Sequence, residues 1–262
     1  QPSSDASALS SCRLALSTAL SGWQQPLPSV ILRARNARSR MNQITESSPA
    51  PDAPLPGAPL LEVRDLSCER DERVLFAGLS FVVDCGTVLQ IAGSNGSGKT
   101  TLLRILCGLN DGYDGEIIWR GESTDDTAES FVGDLLYFGH RVGVNKILTP
   151  LENLRWSAGM QRTVNDQLLL DALAAVGLRG FEESPCYTLS AGQQQRVSLA
   201  RLRLSPATLW VLDEPFTTLD VDAVAQLEQT LADHARQGGA VIVTTHHKLT
   251  MPSLSRLTLG MS

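Results

Sequence analysis

The chain has 262 residues, 42% of them hydrophobic, and a formal net charge of −6. That length builds one substantial core with an appendage, and the acidic balance excludes the broad basic field that neutralises a nucleic-acid backbone, so no nucleic acid is expected as a partner. No stretch approaches the roughly 18 to 20 unbroken apolar residues of a membrane-spanning helix. Cys12, Cys68, Cys85, Cys107 and Cys186 are scattered without a Cys-x-x-Cys spacing, which argues against a disulfide framework or zinc site and fits a reducing compartment.

Residues 1–58 differ in composition from the remainder. They are rich in Ser, Ala and Pro, cluster arginines at Arg33, Arg35, Arg38 and Arg40, and hold almost no acid before Met41. The region reads as a disordered or processed extension. Its composition also fits an organelle transit peptide, which would make the protein mitochondrial, or an overlong translated start with Met41 as the true one. It closes in a Pro-rich linker, 49–59, that can form neither a helix nor a central strand, so the folded domain is expected over 59–262. Within it, short β-rich runs alternate with helical periodicity, the pattern of an α/β fold with a largely parallel sheet. Strands are predicted at 60–66, 74–83, 87–92, 116–119, 135–138, 208–212 and 240–244. Helices are predicted at 101–107, 150–157, 164–176, 191–204 and 221–236.

The strand predicted at 87–92 runs into Gly93, Ser94, Asn95, Gly96, Ser97, Gly98, Lys99 and Thr100, followed by Thr101 and a helix. This is G-x-x-x-x-G-K-[ST] in the context that the motif requires, a strand before and a helix after. Its glycines let backbone N–H groups turn inward, and the helix N-terminus adds partial positive charge, which suits a polyphosphate such as that of ATP. Lys99 is expected to reach the β- and γ-phosphates and the Thr100 hydroxyl to ligand Mg²⁺. Further on, an apolar run ends abruptly in Asp213 and Glu214, as a buried parallel strand does where it opens into a ligand crevice. Alone, that pattern equally fits a solvated strand end. Beside a phosphate loop it places Asp213 to hold Mg²⁺ through water, and Glu214 to orient and deprotonate an attacking water.

Leu189, Ser190, Ala191, Gly192 and Gln193, continued by Gln194, Gln195, Arg196 and the run to Arg201, stand shortly upstream of the acidic strand end. Ser190 can cap the following helix and leave N–H groups aimed at an anion. The segment resembles the signature motif of ABC transporter ATPases, and the resemblance spans about residues 60–249. It implies the P-loop NTPase fold of the ABC type, with a mostly parallel core sheet, an antiparallel β subdomain and a helical signature subdomain. It further implies that Ser190, Gly192 and Gln193 meet ATP held by a second copy of the chain, so that two domains close around two ATP molecules. Thr218, Leu219 and Asp220 resemble the loop that communicates across that dimer, and His246, after Thr244 and Thr245, resembles the family's switch histidine, with adjacent His247 left to a structural role. Two positions depart from the family pattern. His140 stands where a glutamine is usual, with contact to Mg²⁺-bound water or signalling to a membrane subunit as its expected role, and Arg70 stands where an aromatic residue usually stacks on adenine, where a cation can stack instead.

The stretches 68–73, 138–140, 148–154 and 207–220 are similar to one branch of that family, the ATP-binding subunits of cytochrome c maturation systems known as CcmA. In that branch the histidine at 140 is itself usual. The resemblance implies a peripheral ATPase on the cytoplasmic face of the inner membrane, working with integral partners of the CcmB and CcmC type and coupling ATP hydrolysis to haem export or to release of a haem-loaded chaperone. Partner contact is expected from segment 140–154, including Arg141 and Lys146. The motifs by themselves also admit the ATPase of another small exporter, for lipid or drug. No Cys-x-x-Cys-His is present, so haem would be handled by the partners.

Overall fold

The computed structural model describes residues 59–159 and 165–260. The extension expected over 1–58, and the residue at which the helix predicted from 164 would begin, lie outside them.

Two sheets form. The first is antiparallel, in the order β2-β1-β4-β5, from β1 (Leu61–Arg70), β2 (Arg73–Val83), β4 (Asp114–Trp119) and the two-residue β5 (Glu122–Ser123). The second is parallel, in the order β6-β7-β8-β3-β9, from β3 (Val88–Ala92), β6 (Leu135–Phe138), β7 (Leu209–Asp213), β8 (Ala240–Thr244) and β9 (Leu254–Thr258). Residues of β7 and β8 are buried throughout, which is why these strands read as continuous apolar runs rather than alternating ones. Both sheets meet α1 (Lys99–Leu106), whose Leu102, Leu103, Ile105 and Leu106 are at most 1% exposed and join Leu61, Val63, Ile91, Val211 and Ile242 in the main core.

A separate apolar cluster holds α3 (Pro150–Gly159), α4 (Asp166–Ala175) and α5 (Ala191–Ala200) together around Leu154, Leu169, Leu173, Cys186 and Val197. The expected layout, a parallel sheet with an antiparallel subdomain and a helical subdomain bearing residues 189–193, is the one observed. The remaining helices are the six-residue α2 (Ala128–Gly133) and α6 (Val221–Arg236), the latter packing Leu227, Leu231 and Ala235 against β7 and β8 residues. The helix predicted at 191–204 ends at Ala200 and tightens into a 3₁₀ turn at Arg201–Arg203, because Pro206 bars its continuation.

Strand order positions the site. β3, β6, β7 and β8 are parallel neighbours, so their carboxyl ends reach the same edge of the sheet, where open α/β sheets bind ligands. Those ends deliver the loop at 93–98, His140, the pair Asp213 and Glu214, and His246.

Candidate active site

The phosphate loop leaves β3 at Gly93, whose φ of 151° and lack of a side chain are both required. A Cβ there would lie 2.6 Å from Ser97 Oγ and 2.9 Å from the Leu259 carbonyl oxygen. Ser97 is buried beneath the loop, its hydroxyl without a protein partner. Gly98 caps α1 without any side-chain hydrogen bond, so the first N–H groups of the helix stay open to an anion. Lys99 folds back across the loop, its Nζ donating to the carbonyl oxygens of Gly93 at 2.8 Å and Ser94 at 3.0 Å. This places a positive charge against the loop backbone.

Asp213 ends β7 at 2% exposure and is fixed by two hydroxyls. Thr100 Oγ1 donates to Asp213 Oδ2 at 2.9 Å, and Thr244 Oγ1, from the paired position on β8, donates to Oδ1 at 2.6 Å. Thr244 also holds the next residue, since the Glu214 N–H donates to both its carbonyl oxygen (3.0 Å) and its hydroxyl (3.1 Å). Glu214 needs that hold: its φ of 51° is left-handed, a conformation that costs a non-glycine residue about 1–3 kcal/mol. The nearby Tyr137 phenol is pushed up to about 12 by burial and then by the Asp213 carboxylate, so it remains protonated.

His246 Nε2 stands 3.6 Å from Glu214 Oε1. Its loop is tied to the sheet through Gln90, which donates to the carbonyl oxygens of Thr245 (3.2 Å) and His247 (3.4 Å) and accepts from Arg256 at 3.0 Å. His247 is turned away into a contact with Glu228 (3.0 Å) and the Phe216 ring.

The phosphate loop, Asp213, Glu214 and His246 line one open cleft of about 630 Å³. Its lining includes Asn95, Gly96, Gly98, Lys99, Thr100 and Thr101 from the phosphate loop and α1, and His140, Asp213, Glu214 and His246 from the ends of the neighbouring strands. Arg70, the last residue of β1 and ion-paired with Asp71 at 3.4 Å, also lines the cleft, as does Leu75. Ser190, Gly192 and Gln193 do not line this cleft. They form the start of α5, where Ser190 Oγ accepts from the Gln193 N–H (3.2 Å) and the Gln193 side chain accepts from the Ser190 N–H (2.9 Å), a capping box. Asp220 is outside it too, capping α6 through the Ala223 N–H at 2.9 Å and ion-paired with Arg196. Thr244 and Gln90 were missed by sequence reasoning. Thr244 carried one signal, a hydroxyl at the last position of a buried strand, but its contact with Asp213 depends on strand register.

The oxygen donors beside the phosphate loop fit Mg²⁺, a hard cation that takes one or two carboxylates and completes its shell with waters and substrate phosphates. Among the described residues no group of three or more His, Cys, Asp or Glu could hold a metal by itself.

Geometry of this kind defines an ATPase of the P-loop class. The ABC transporter family matches residues 76–217. A "Cytochrome c biogenesis ATP-binding export protein CcmA" of Hahella chejuensis is 54% identical over 203 residues, covering 77% of this chain and 96% of its own. The protein of the same description in Escherichia coli K12 is 52% identical, covering 73% and 91%. Among solved structures, an ABC transporter ATP-binding protein from Pyrococcus furiosus superposes with a TM-score of 0.67 at 26% identity, over 76% of this chain and 96% of that one. The chain belongs to the ABC transporter family and, within it, to the CcmA family of ATP-binding subunits.

Proposed function

We propose that the chain is the ATP-hydrolysing subunit of a transporter complex for cytochrome c maturation, coupling hydrolysis to haem export or to release of a haem-loaded chaperone. What supports this reading is that Lys99, Thr100, Asp213, Glu214 and His246 line one cleft in a chain 54% identical to a cytochrome c biogenesis ATP-binding export protein. Lys99 reaches from the loop to the β- and γ-phosphates while the amides of the loop and of α1 cradle them. Thr100 and, through water, Asp213 would hold Mg²⁺, which would offset phosphate charge there. Glu214 accepts the proton of the attacking water, and His246, 3.6 Å away, orients that carboxylate toward the γ-phosphate. His140, which also lines the cleft, contacts the water shell of the same site, and Arg70 stacks on the base.

Ser190, Gly192 and Gln193 serve a different site, the cleft of a second copy, where the α5 N-terminus and the Ser190 hydroxyl meet the γ-phosphate. Closing and reopening of the two copies then moves integral membrane partners of the CcmB and CcmC type, which dock on segment 140–154 from the cytoplasmic face of the membrane. Among the described residues no helix is long and apolar enough to cross a membrane.

The test is haem-stained c-type cytochrome content in cells lacking this protein, complemented with the wild type or with Glu214→Gln. Loss of cytochromes c that only the wild type restores is the expected result. Unchanged cytochromes c would send the search to another client, and rescue by Glu214→Gln would remove the hydrolytic role of that residue.

A further inference from the structure

The loop after Glu214 is clasped by the signature helix of the same chain at three points. A Cβ on Gly192 would lie 2.9 Å from the Thr218 carbonyl oxygen, so the helix start packs directly on that backbone. One turn on, Gln195, 5% exposed, donates through Nε2 to the Pro215 carbonyl oxygen at 3.0 Å. Next to it, Arg196 pairs with Asp220. The loop so held contains two non-glycine residues in the left-handed region, Glu214 at φ 51° and Thr218 at φ 64°, and such conformations persist only where surrounding contacts over-determine them.

We propose that Gln195 is a positioning residue for Glu214, acting through the Pro215 carbonyl; this rests on the hydrolytic reading of the cleft. On its N-terminal side Glu214 is fixed by Thr244, which takes its N–H twice. On its C-terminal side the next residue is proline, which has no N–H to donate, and the Glu214 carbonyl receives only a longer bond, from the Thr217 N–H at 3.3 Å. The buried Gln195 bond is therefore the short tie that fixes the Pro215–Phe216 peptide, one residue beyond the general base. It also links the base to α5, so the helix end that meets the second copy's nucleotide and the carboxylate that activates water in this copy's cleft share one framework.

The test compares Gln195→Met, which keeps the volume and removes the donor, with Gln195→Glu, in the full chain. The Met variant is expected to lower kcat by about 10- to 100-fold with KM changed by less than about threefold, because misplacement of a catalytic group costs rate and leaves ground-state binding in place. Gln195→Glu should behave like the Met variant at high pH. Relative to wild type it should recover as pH falls, because a protonated carboxyl facing a carbonyl regains a donor. A Met variant with wild-type kcat, an unchanged pH profile for Gln195→Glu, or a loss of kcat that only follows a loss of nucleotide affinity and Tm would overturn the proposal. A wild-type chain that binds ATP without turning it over would instead remove the parent reading, and this inference with it.

Discussion

Asp213 and Glu214 are neighbours with opposite requirements, and one threonine meets both. The carboxylate of Asp213 is almost fully removed from solvent and needs donors, since a buried charge is tolerated only when it is hydrogen-bonded. Glu214 needs its backbone held in a conformation that most residues avoid. The Thr244 hydroxyl donates to Asp213 at 2.6 Å and accepts from the Glu214 N–H at 3.1 Å, so a single proton assignment satisfies three groups. Thr244→Val keeps the shape and removes that hydroxyl. It is expected to destabilise the fold by about 1–3 kcal/mol through the under-satisfied carboxylate and to lower kcat by roughly tenfold, the factor that about 1.4 kcal/mol of lost positioning represents. Urea unfolding and steady-state phosphate release measure the two effects. A variant with wild-type kcat would show that the Glu214 backbone is held without the hydroxyl.

Short apolar strands and a long amphipathic helix were legible in the sequence: β6 and β8 fall on the predicted residues, and α6, 16 residues long with one buried face, does so at both ends. The phosphate loop and the acidic strand end were legible because their residues are contiguous. Thr244 and Gln90 were not, because their contacts are set by which strands are neighbours. β9 escaped for a related reason: its residues are half-buried or exposed, and its place on the far side of β3 comes from pairing rather than from an apolar pattern. α6 carries a further consequence. His234 stacks on Trp210 with ring centroids 3.7 Å apart, and its Nε2 donates to the Thr208 carbonyl oxygen at 3.0 Å. Burial, the largest cause, lowers its pKa below the ordinary 6.5. The native state therefore resists a proton that the unfolded chain accepts, so the stability associated with neutral His234 is present above about pH 6.5 and is lost as pH falls toward the native pKa. Urea midpoints should decline between pH 7.5 and 5.5, and His234→Phe, which keeps the stacked ring without titrating, should reduce that decline. An equal decline in both proteins would assign the pH dependence to other groups.

At the scale of the whole molecule the arrangement is incomplete within one chain: the cleft holds the phosphate loop and the hydrolytic groups, while Ser190, Gly192 and Gln193 open elsewhere. A helix N-terminus whose capping hydroxyl still has its proton to donate can meet an anion, and two copies related by a two-fold axis would bring each such end to the other's cleft. Ser190→Asp separates this role from folding. Aspartate is as good an N-cap as serine, so α5 keeps its capping bond, but its carboxylate would confront the γ-phosphate of the nucleotide held by the second copy, a like-charge contact. Made in a Glu214→Gln background, where ATP is expected to be retained, the comparison can be read by mass. Glu214→Gln alone should pass on addition of ATP from a species of 28.2 kDa to one of twice that mass, measured by light scattering. With Ser190→Asp added, the chain should still bind ATP, since Ser190 lies outside its own cleft, yet remain at the single-chain mass. If the double variant dimerises as readily, the signature end is not the contact that closes the pair. If it loses ATP binding as a monomer, Ser190 belongs to its own chain's site and the two-copy arrangement has to be redrawn.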